Sequence, residues 1–313
     1  MAPRILGLHH VTATVDDAQA DLDFCLDLLG LRLVKKTVNF DNHNVYHFYY
    51  GNERGDPGTI WTTFPYKGHG VRGGLKGAGQ VVTTAFSVPV GSLEFWRNRL
   101  RVAGVPSNDI EAHFGEPAVA FNDPSGLRCE LVANDRDTRA PWTAVVGKST
   151  AIRGLHSVMM EVQRAQPSID FLISILGYHV VGASGGRTRL AANGDASGHL
   201  IDVLEQPDAK PAVNGVGTVH HVAMAIGSDD EQVRLREELL SAGVRVTEVR
   251  DRSYFRSIYF REPGGVLFEV ATIEPGFAID EPAATLGRDL RLPAWEEPHR
   301  AAIEANLAAV TYR

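Results

Sequence analysis

Four segments of the chain repeat one succession of hydrophobic and polar positions. Each segment opens with apolar residues at every second position, as in residues 11–15 and 222–226, which is typical of a half-buried strand. A stretch with helix-start and helix-stop residues follows, and then three short apolar runs separated by turn residues. This order predicts a β-α-β-β-β module. The four modules span residues 5–66, 79–136, 151–206 and 217–273.

The predicted helices begin after a short polar residue and end at a glycine, as helix caps require. These boundaries give each module one helix between its first and second strands. The predicted N-caps are Asp16 or Asp17, Ser92, Ser168, and Ser228 or Asp229. The predicted C-terminal glycines are Gly30, Gly104, Gly177 and Gly243.

The first half of the chain is echoed in the second half. Residues 7–11 (GLHHV) recur as residues 154–158 (GLHSV), and residues 23–24 (DF) recur as residues 170–171 at the same offset of 147. A constant offset across two separate matches indicates that the halves are related copies.

The domain organisation follows from these related halves. A chain of 313 residues suits two domains of about 150 residues each. We expect an N-terminal domain over residues 1–136 and a C-terminal domain over residues 151–275, joined by a linker at 137–150. The remaining residues, 276–313, are expected to form a tail that is helical over residues 295–306.

A single module would leave one apolar sheet face exposed, so the modules should pair. Each pair would form one curved mixed sheet of eight strands that encloses a cup. The predicted fold class is therefore α+β, with four β-α-β-β-β modules forming two curved, incompletely closed mixed-sheet barrels.

Each module offers two matching positions whose side chains could reach the centre of a cup, one on its opening strand and one on its closing strand. These positions carry different residue types in the four modules. In chain order they are His10 and Thr63, Thr83 and Glu130, Ser157 and Asp202, and His221 and Glu269.

Four modules can pair in three ways, and one of these ways gathers two histidines in one cup. Pairing the first module with the second, or the first with the third, puts one histidine in each cup. Pairing the first with the fourth gathers His10, His221 and Glu269. We predict this pairing, which leaves the second and third modules to form a cup without a histidine at these positions.

Two imidazoles and one carboxylate, with open coordination positions beside them, suit the oxygen chemistry of non-haem Fe(II). Zinc also accepts three such ligands and a water, so the ligand set leaves the metal open. Glu269 lies in an apolar strand, where a buried carboxylate needs a partner. Neighbouring strand residues face opposite ways, so we predict that His10 and His221 point inward. Their neighbours His9 and His220 are then supporting or structural residues.

Short segments along nearly the whole chain form a family pattern: residues 7–12 (GLHHVT), 29–40 (LGLRLVKKTVNF), 46–51 (YHFYYG), 57–59 (PGT), 63–65 (TFP), 219–221 (VHH), 251–252 (DR), 254–255 (YF), 257–261 (SIYFR) and 263–269 (PGGVLFE). On these segments the chain resembles the vicinal oxygen chelate superfamily of glyoxalases and extradiol dioxygenases. More narrowly, it resembles the hydroquinone-type ring-cleaving dioxygenases, the chlorohydroquinone and methylhydroquinone 1,2-dioxygenases. Residues 66–78 and 180–215 have no clear counterpart, which leaves the ring substituent of the substrate open.

The resemblance implies Fe(II) held by His10, His221 and Glu269, in agreement with the pairing argument, and Mn(II) or Zn(II) would suit the same ligands. It implies insertion of both atoms of O₂ into a hydroquinone-type diol, with ring opening next to a hydroxyl group. It also implies that Tyr259 lies beside the substrate. Four further residues are placed in or behind the pocket: Arg252, His9, His220 and Thr12.

Two other functions remain open for such a fold. One is a glyoxalase-like lyase or isomerase that uses Zn(II), Ni(II) or Mn(II), and such enzymes usually take four protein ligands. Thr63, at the fourth position, is a poor ligand. The other is a protein that binds a small molecule in the cup without catalysis.

Composition excludes several other classes of function. The net charge is −7, from 31 basic and 38 acidic residues without a basic block, so nucleic acid is a poor partner. No apolar stretch approaches the roughly 20 residues of a membrane span, and residues 1–5 lack a signal-peptide profile. Two cysteines, Cys25 and Cys129, cannot build a disulfide framework, so a reducing cytoplasm is expected. The expected partners are a small aromatic substrate and O₂, and the apolar residues at 302–310 are compatible with a homo-oligomer.

Overall fold

The computed structural model describes residues 5–312. Residues 1–4, at the start of the predicted N-terminal domain, and residue 313, at the end of the tail, lie outside the described residues. Most of the segment 1–5, to which the signal-peptide prediction applies, therefore also lies outside them. Each of the four predicted modules has the expected β-α-β-β-β order.

The N-terminal half of the chain contains the first two modules. The first consists of β1 (Ile5–Val15), α1 (Ala18–Leu22) with a π-helical continuation (Asp23–Leu28), β2 (Arg32–Asn39), β3 (Asn42–Gly51) and β4 (Ile60–Pro65). The second consists of β5 (Gln80–Val88), α2 (Leu93–Val102), β6 (Glu111–His113), β7 (Glu116–Asn122) and β8 (Arg128–Ala133).

The C-terminal half contains the other two modules and the tail. The third module consists of β9 (Gly154–Val162), α3 (Ala165–Ser174), β10 (His179–Ser184), β11 (Arg187–Ala191) and β12 (Leu200–Glu205). The fourth consists of β13 (Thr218–Ile226), α4 (Asp229–Ser241), β14 (Arg250–Asp251), β15 (Arg256–Arg261) and β16 (Leu267–Thr272). The tail contains short 3-10 turns (Phe277–Ile279, Ala283–Thr285 and Glu297–His299) and α5 (Arg300–Asn306).

The sixteen strands form two curved mixed sheets of eight strands each. In the first sheet β1 pairs antiparallel with β13, so the first module joins the fourth. In the second sheet β5 pairs antiparallel with β9, so the second module joins the third. The predicted fold class and the predicted pairing are thus confirmed. Because each sheet takes one module from each half of the chain, the halves are interleaved, and the division into two domains stays a prediction.

The main hydrophobic core lies between the helices and the outer faces of the sheets. On β1, the buried residues Val11, Ala13 and Val15 belong to this core, together with Trp96 from α2. Thr12, between two of them, projects to the opposite, concave face, as strand alternation requires. The concave faces therefore carry the polar side chains of the two cups.

The helix starts follow the sequence signals in part. The carboxylate of Asp17 accepts from the backbone N–H of Ala20 at 2.9 Å, and Ser228 caps α4. Ser92 precedes α2, although its hydroxyl donates to a carbonyl outside the helix. The prediction for Ser168 was wrong, since α3 begins at Ala165. The carboxylate of Glu205, on β12, accepts from the N–H of Ala165 at 2.7 Å and replaces a local cap.

The tail packs along the first module. Its helix begins at Arg300, later than the predicted residue 295, because Pro298 falls in a separate 3-10 turn. Ile303 of this helix packs with Val38 of β2 in a small apolar cluster. No helix within residues 5–312 is long and apolar enough to cross a membrane.

Candidate metal centre

Three buried side chains meet at the centre of the first cup. His10 comes from β1, His221 from β13 and Glu269 from β16. The Nε2 atoms of the two histidines lie 3.2 Å apart. The Oε2 atom of Glu269 lies 3.3 Å from Nε2 of His10 and 2.8 Å from Nε2 of His221. Residues separated by 259 positions in the sequence therefore present three ligand atoms to one point.

These separations fit a divalent transition-metal ion. An ion about 2.1 Å from each atom would separate the three by about 3.0 Å at right angles, or by about 3.4 Å at tetrahedral angles. The observed 2.8–3.3 Å span the first value and fall below the second. Oε2 of Glu269 makes no hydrogen bond of normal geometry with any described residue, while Ser257 donates to Oε1. The donor set therefore suits an ion with further positions left open.

The charge state of the ligands favours cation binding. Burial alone would raise the pKa of Glu269, but the imidazoles of His10 and His221 hold that pKa well below its usual range. Burial lowers the pKa of His221. At neutral pH the carboxyl group is therefore ionised and the His221 imidazole is neutral, which are the forms that coordinate a metal.

Each ligand histidine is paired with the histidine that precedes it. Nδ1 of His9 lies 2.9 Å from Nδ1 of His10, and Nδ1 of His220 lies 2.8 Å from Nδ1 of His221. Burial lowers the pKa of His9 and of His220 to about 3, so both rings are neutral and can accept a hydrogen bond through Nδ1. Each ligand ring can then donate its Nδ1–H to its neighbour, which leaves the Nε2 lone pair for the metal.

The three ligand atoms open into a cavity of about 190 Å³. Tyr259 and Arg252 form its polar side, and the Nε of Arg252 donates to the Tyr259 hydroxyl at 3.0 Å. His220 also lines the cavity, so the prediction that only the second histidine of each pair faces the cup was wrong here. The pairing of β1 with β13 shifts register between His221 and Val219, and such an irregularity interrupts the alternation of faces. Further lining residues, which our sequence interpretation gave no role, are Asn39, Phe40, Asp41, His47, Tyr49, Phe64, Tyr66 and Phe255.

Two of the predicted pocket residues do not line the cavity. His9 is buried with its ring 4.9 Å from that of Phe255, and Thr12 is fully buried. The Thr12 hydroxyl accepts from the hydroxyl of Thr62 at 2.9 Å, and Thr62 in turn lies 2.8 Å from Nε2 of His47. This chain of contacts connects β1, β4 and β3 on the concave face of the sheet.

The closing-strand position of the first module was misplaced by one residue. In the fourth module, Glu269 lies opposite Ala223, which is two residues after His221. The residue two positions after His10 is Thr12, and it lies opposite Thr62. Thr63 faces the helix side, where its hydroxyl donates to the buried carboxylate of Asp21 at 2.5 Å. A slip of one position reverses the face of a strand residue, which explains the error.

Two of the lining residues that the sequence analysis did not identify lie two positions apart on β3, a spacing that places them on the same face of the strand. His47 and Tyr49 are two positions apart and project into the same cavity, with ring centroids 4.0 Å from each other. The segment 46–51 is apolar and aromatic on both faces, so the alternation alone did not show which face is concave. Burial keeps the pKa of His47 well below its usual value.

The second cup, between the second and third modules, is filled by its own side chains. Its cavity is about 10 Å³. The guanidinium of Arg189 donates to both carboxylate oxygens of Asp202, at 2.7 and 2.8 Å, and to Glu116 at 2.6 Å. His156 lies 3.2 Å from the same glutamate. One arginine thus pairs with two of the acidic groups that line this cup.

Two parts of the chain, residues 7–131 and 154–270, match the model of the Glyoxalase/Bleomycin resistance protein/Dioxygenase superfamily. The chain therefore belongs to this superfamily.

Within this superfamily, the chain is similar to proteins named as dioxygenases. The chain is 44% identical over 308 residues to "Putative ring-cleaving dioxygenase MhqO" of Bacillus subtilis strain 168, covering 98% of this chain and 97% of that protein. It is 36% identical over 296 residues to "Chlorohydroquinone/hydroquinone 1,2-dioxygenase" of Sphingobium indicum, covering 92% of each. A crystal structure of a "putative dioxygenase" from Bacillus subtilis subsp. subtilis str. 168 matches with a TM-score of 0.95 and 43% identity, over 100% of this chain and 99% of that one. The predicted resemblance to ring-cleaving dioxygenases is confirmed.

Proposed function

We propose that this chain is an Fe(II)-dependent ring-cleaving dioxygenase that inserts both atoms of O₂ into a hydroquinone-type aromatic diol. The observation that carries the proposal is the convergence of His10, His221 and Glu269 on one point at the end of a ring-sized cavity. The names of the relatives support the ring-cleaving class. The partners in this proposal are the aromatic substrate and O₂.

The ligand set favours iron over a four-ligand metal site. The position that matches Glu269 in the first module is Thr62, whose hydroxyl is engaged by Thr12 and His47. Three protein ligands therefore leave positions for both substrate and O₂, as non-haem Fe(II) oxygen chemistry requires. When bound, a ferrous ion would supply Lewis acidity at the coordinated hydroxyl and electron transfer between the ring and O₂.

The cavity suits a single aromatic ring. Cavities of about 150 Å³ hold a benzene molecule, and this cavity is about 190 Å³. Phe64, Tyr49 and Phe255 give it an aromatic wall against which a ring can pack. The metal ligands, Tyr259, Arg252, Asn39 and Asp41 also give it polar groups that suit the two hydroxyl groups of a hydroquinone.

Tyr259 is the proposed hydrogen-bond donor to the reacting oxygens. Burial raises the pKa of its phenol well above the ordinary value, so the phenol stays protonated. The Nε–H of Arg252 donates to the phenol oxygen at 3.0 Å, which leaves the phenol O–H free to donate into the cavity. Arg252 therefore orients Tyr259, while His9, His220 and Thr12 hold the ligand rings and the strands behind them.

Oxygen uptake tests the proposal. After anaerobic loading with Fe(II), hydroquinone or its methyl or chloro derivative should be consumed with one O₂ per ring, and mass spectrometry with ¹⁸O₂ should find both labelled atoms in an opened product. His10→Ala should lose both bound iron and oxygen uptake. His113→Ala, which changes a histidine of the second cup, is the matched control and should keep both. Ring binding without oxygen uptake by the iron-loaded protein would contradict the proposal.

A further inference from the structure

The mouth of the metal-site cavity carries an acidic side chain that the proposed chemistry does not use. Asp41 lies in the turn between β2 and β3, and its Oδ2 accepts from Nη2 of Arg252 at 3.3 Å. Its Oδ1 lies 3.7 Å from Nη1 of Arg250. A turn of the first module thus reaches across the cavity to β14 and the segment after it in the fourth module.

Asp41 offsets part of the positive charge that two arginines bring to this side of the mouth. The guanidinium of Arg252 lies 5.1 Å from the ring centroid of Tyr259, and that of Arg250 lies 5.7 Å from it. Arg252 uses its Nε–H for the Tyr259 hydroxyl and directs Nη2 at Asp41. Nη2 of Arg252, one of the donors that an anionic substituent on the ring could use, is therefore already engaged by Asp41.

The ion pairs of Asp41 give it little part in the stability of the fold. Its side chain is 64% exposed, and ion pairs at that exposure contribute little to folding. A carboxylate at the rim of a partly desolvated cavity does, however, repel a second carboxylate, and a misplaced like charge is a common device for rejecting a ligand. An uncharged substituent of the same size meets no such penalty.

We propose that Asp41 is a specificity-determining residue that rejects rings with an anionic substituent and restricts the site to hydroquinones with uncharged substituents. The proposal rests on the proposed function, since it names the substrate class of the same cavity. It concerns the mouth of the cavity, and it can therefore be measured by binding, without turnover.

The test compares a charged ring with its uncharged counterpart. The protein is loaded with Zn(II), which has no redox chemistry, and the Kd values of 2,5-dihydroxyphenylacetate and of its primary amide are measured by calorimetry. The natural chain should bind the amide more tightly. Asp41→Asn should shrink the ratio of the two Kd values at least about fivefold, because a like-charge contact is removed. Asp41→Glu, which keeps the charge, should keep most of the discrimination.

The control is an exposed aspartate of another arginine pair. Asp109 lies 2.8 Å from Arg97, far along the chain from the cavity residues, and Asp109→Asn changes the net charge by the same amount. It should leave the ratio unchanged. The effect of Asp41→Asn should also fade as salt is raised, because salt screens exposed charges, whereas an effect of altered shape would persist.

The outcomes separate the two proposals. An unchanged ratio in Asp41→Asn, or the same change in Asp109→Asn, overturns the role of Asp41 while leaving oxygen uptake by the natural chain as evidence for the dioxygenase. If the natural chain binds the charged ring as tightly as the amide, the role of Asp41 is also overturned. If neither ring binds and no hydroquinone consumes O₂, the proposed function fails and the specificity role fails with it.

Discussion

The two cups of this protein are each built from two copies of the same β-α-β-β-β module, but different side chains lie at their centres. In the first cup Glu269 lies opposite Tyr259 and faces two imidazoles. In the second cup Asp202 lies opposite Arg189 and is paired by its guanidinium. The cups differ at several matching positions, including Tyr259 against Arg189 and the two histidines of the first cup, and their cavities measure about 190 Å³ and about 10 Å³.

The difference shows what a buried carboxylate demands. An ionised carboxylate in a sheet interior needs a cation, and either a metal or an arginine can supply it. Where arginine supplies it, the side chain itself fills the space and no ligand can enter. Where a metal supplies it, the neighbouring position can carry Tyr259, and room remains for a substrate.

The largest expected effect comes from removing the carboxylate of Glu269 from the candidate metal centre in the first cup. Glu269→Ala should weaken metal binding by more than about 100-fold, because changes even in side chains that only support metal ligands cost 10–100-fold. Glu130→Ala, at the matching closing-strand position of the second module, should leave metal affinity unchanged. Competition with a chelator of known affinity measures both. Undiminished affinity in Glu269→Ala would show that the metal ligands lie elsewhere.

Removing the arginine of the second cup should destabilise the fold. Arg189→Met leaves Asp202 and Glu116 without their main partner, and breaking a buried ion pair from one side costs about 3–5 kcal/mol. Arg136→Met is the control, since that arginine is 63% exposed and contacts the same glutamate at 4.0 Å. It should cost less than about 1 kcal/mol. Urea unfolding of the metal-free proteins measures both, and equal costs would refute the buried role of Arg189.

A smaller effect should appear in the dependence of stability on pH. Burial alone would raise the pKa of Glu116, but His156 and Arg189 lower it from 4.5 to about 2 in the folded chain. The unfolded chain therefore binds the proton more tightly, so stability from this group is present above about pH 4.5 and is lost as the pH falls towards 2. Glu116→Gln should flatten the fall of unfolding free energy in that window. A slope equal to that of the natural chain would contradict the lowered pKa.

Much of the fold could be predicted because its signals are local and repeated. Strand alternation and glycine positions recur in every module, and the sheets form as the repeats indicate. The pairing of modules could also be predicted, although it is not local. His10 and His221 occur at matching positions in two modules, and the expectation of a shared metal site favours the pairing that brings those two together.

Other parts of the site depended on contacts that leave no local signal. The sequence predicted Thr63 at the inward position where the structure has Thr62. The closing strand of the first module has no charged residue that would mark its inner face. Asp41 is an ordinary turn residue until the fold places it beside an arginine 211 positions later. The cap of α3 comes from Glu205, forty residues beyond the N–H it accepts from.

The amino-acid sequence by itself determined the modules, their order and the three residues able to hold a metal, because residue type and period are properties of each segment alone. Tertiary structure decided which face each closing strand turns inward, which cup keeps an open cavity and which charged side chain lies at its mouth. Those outcomes depend on strand register and on distances between segments far apart in the chain, and a change of one position in register exchanges the inner and outer faces of a strand.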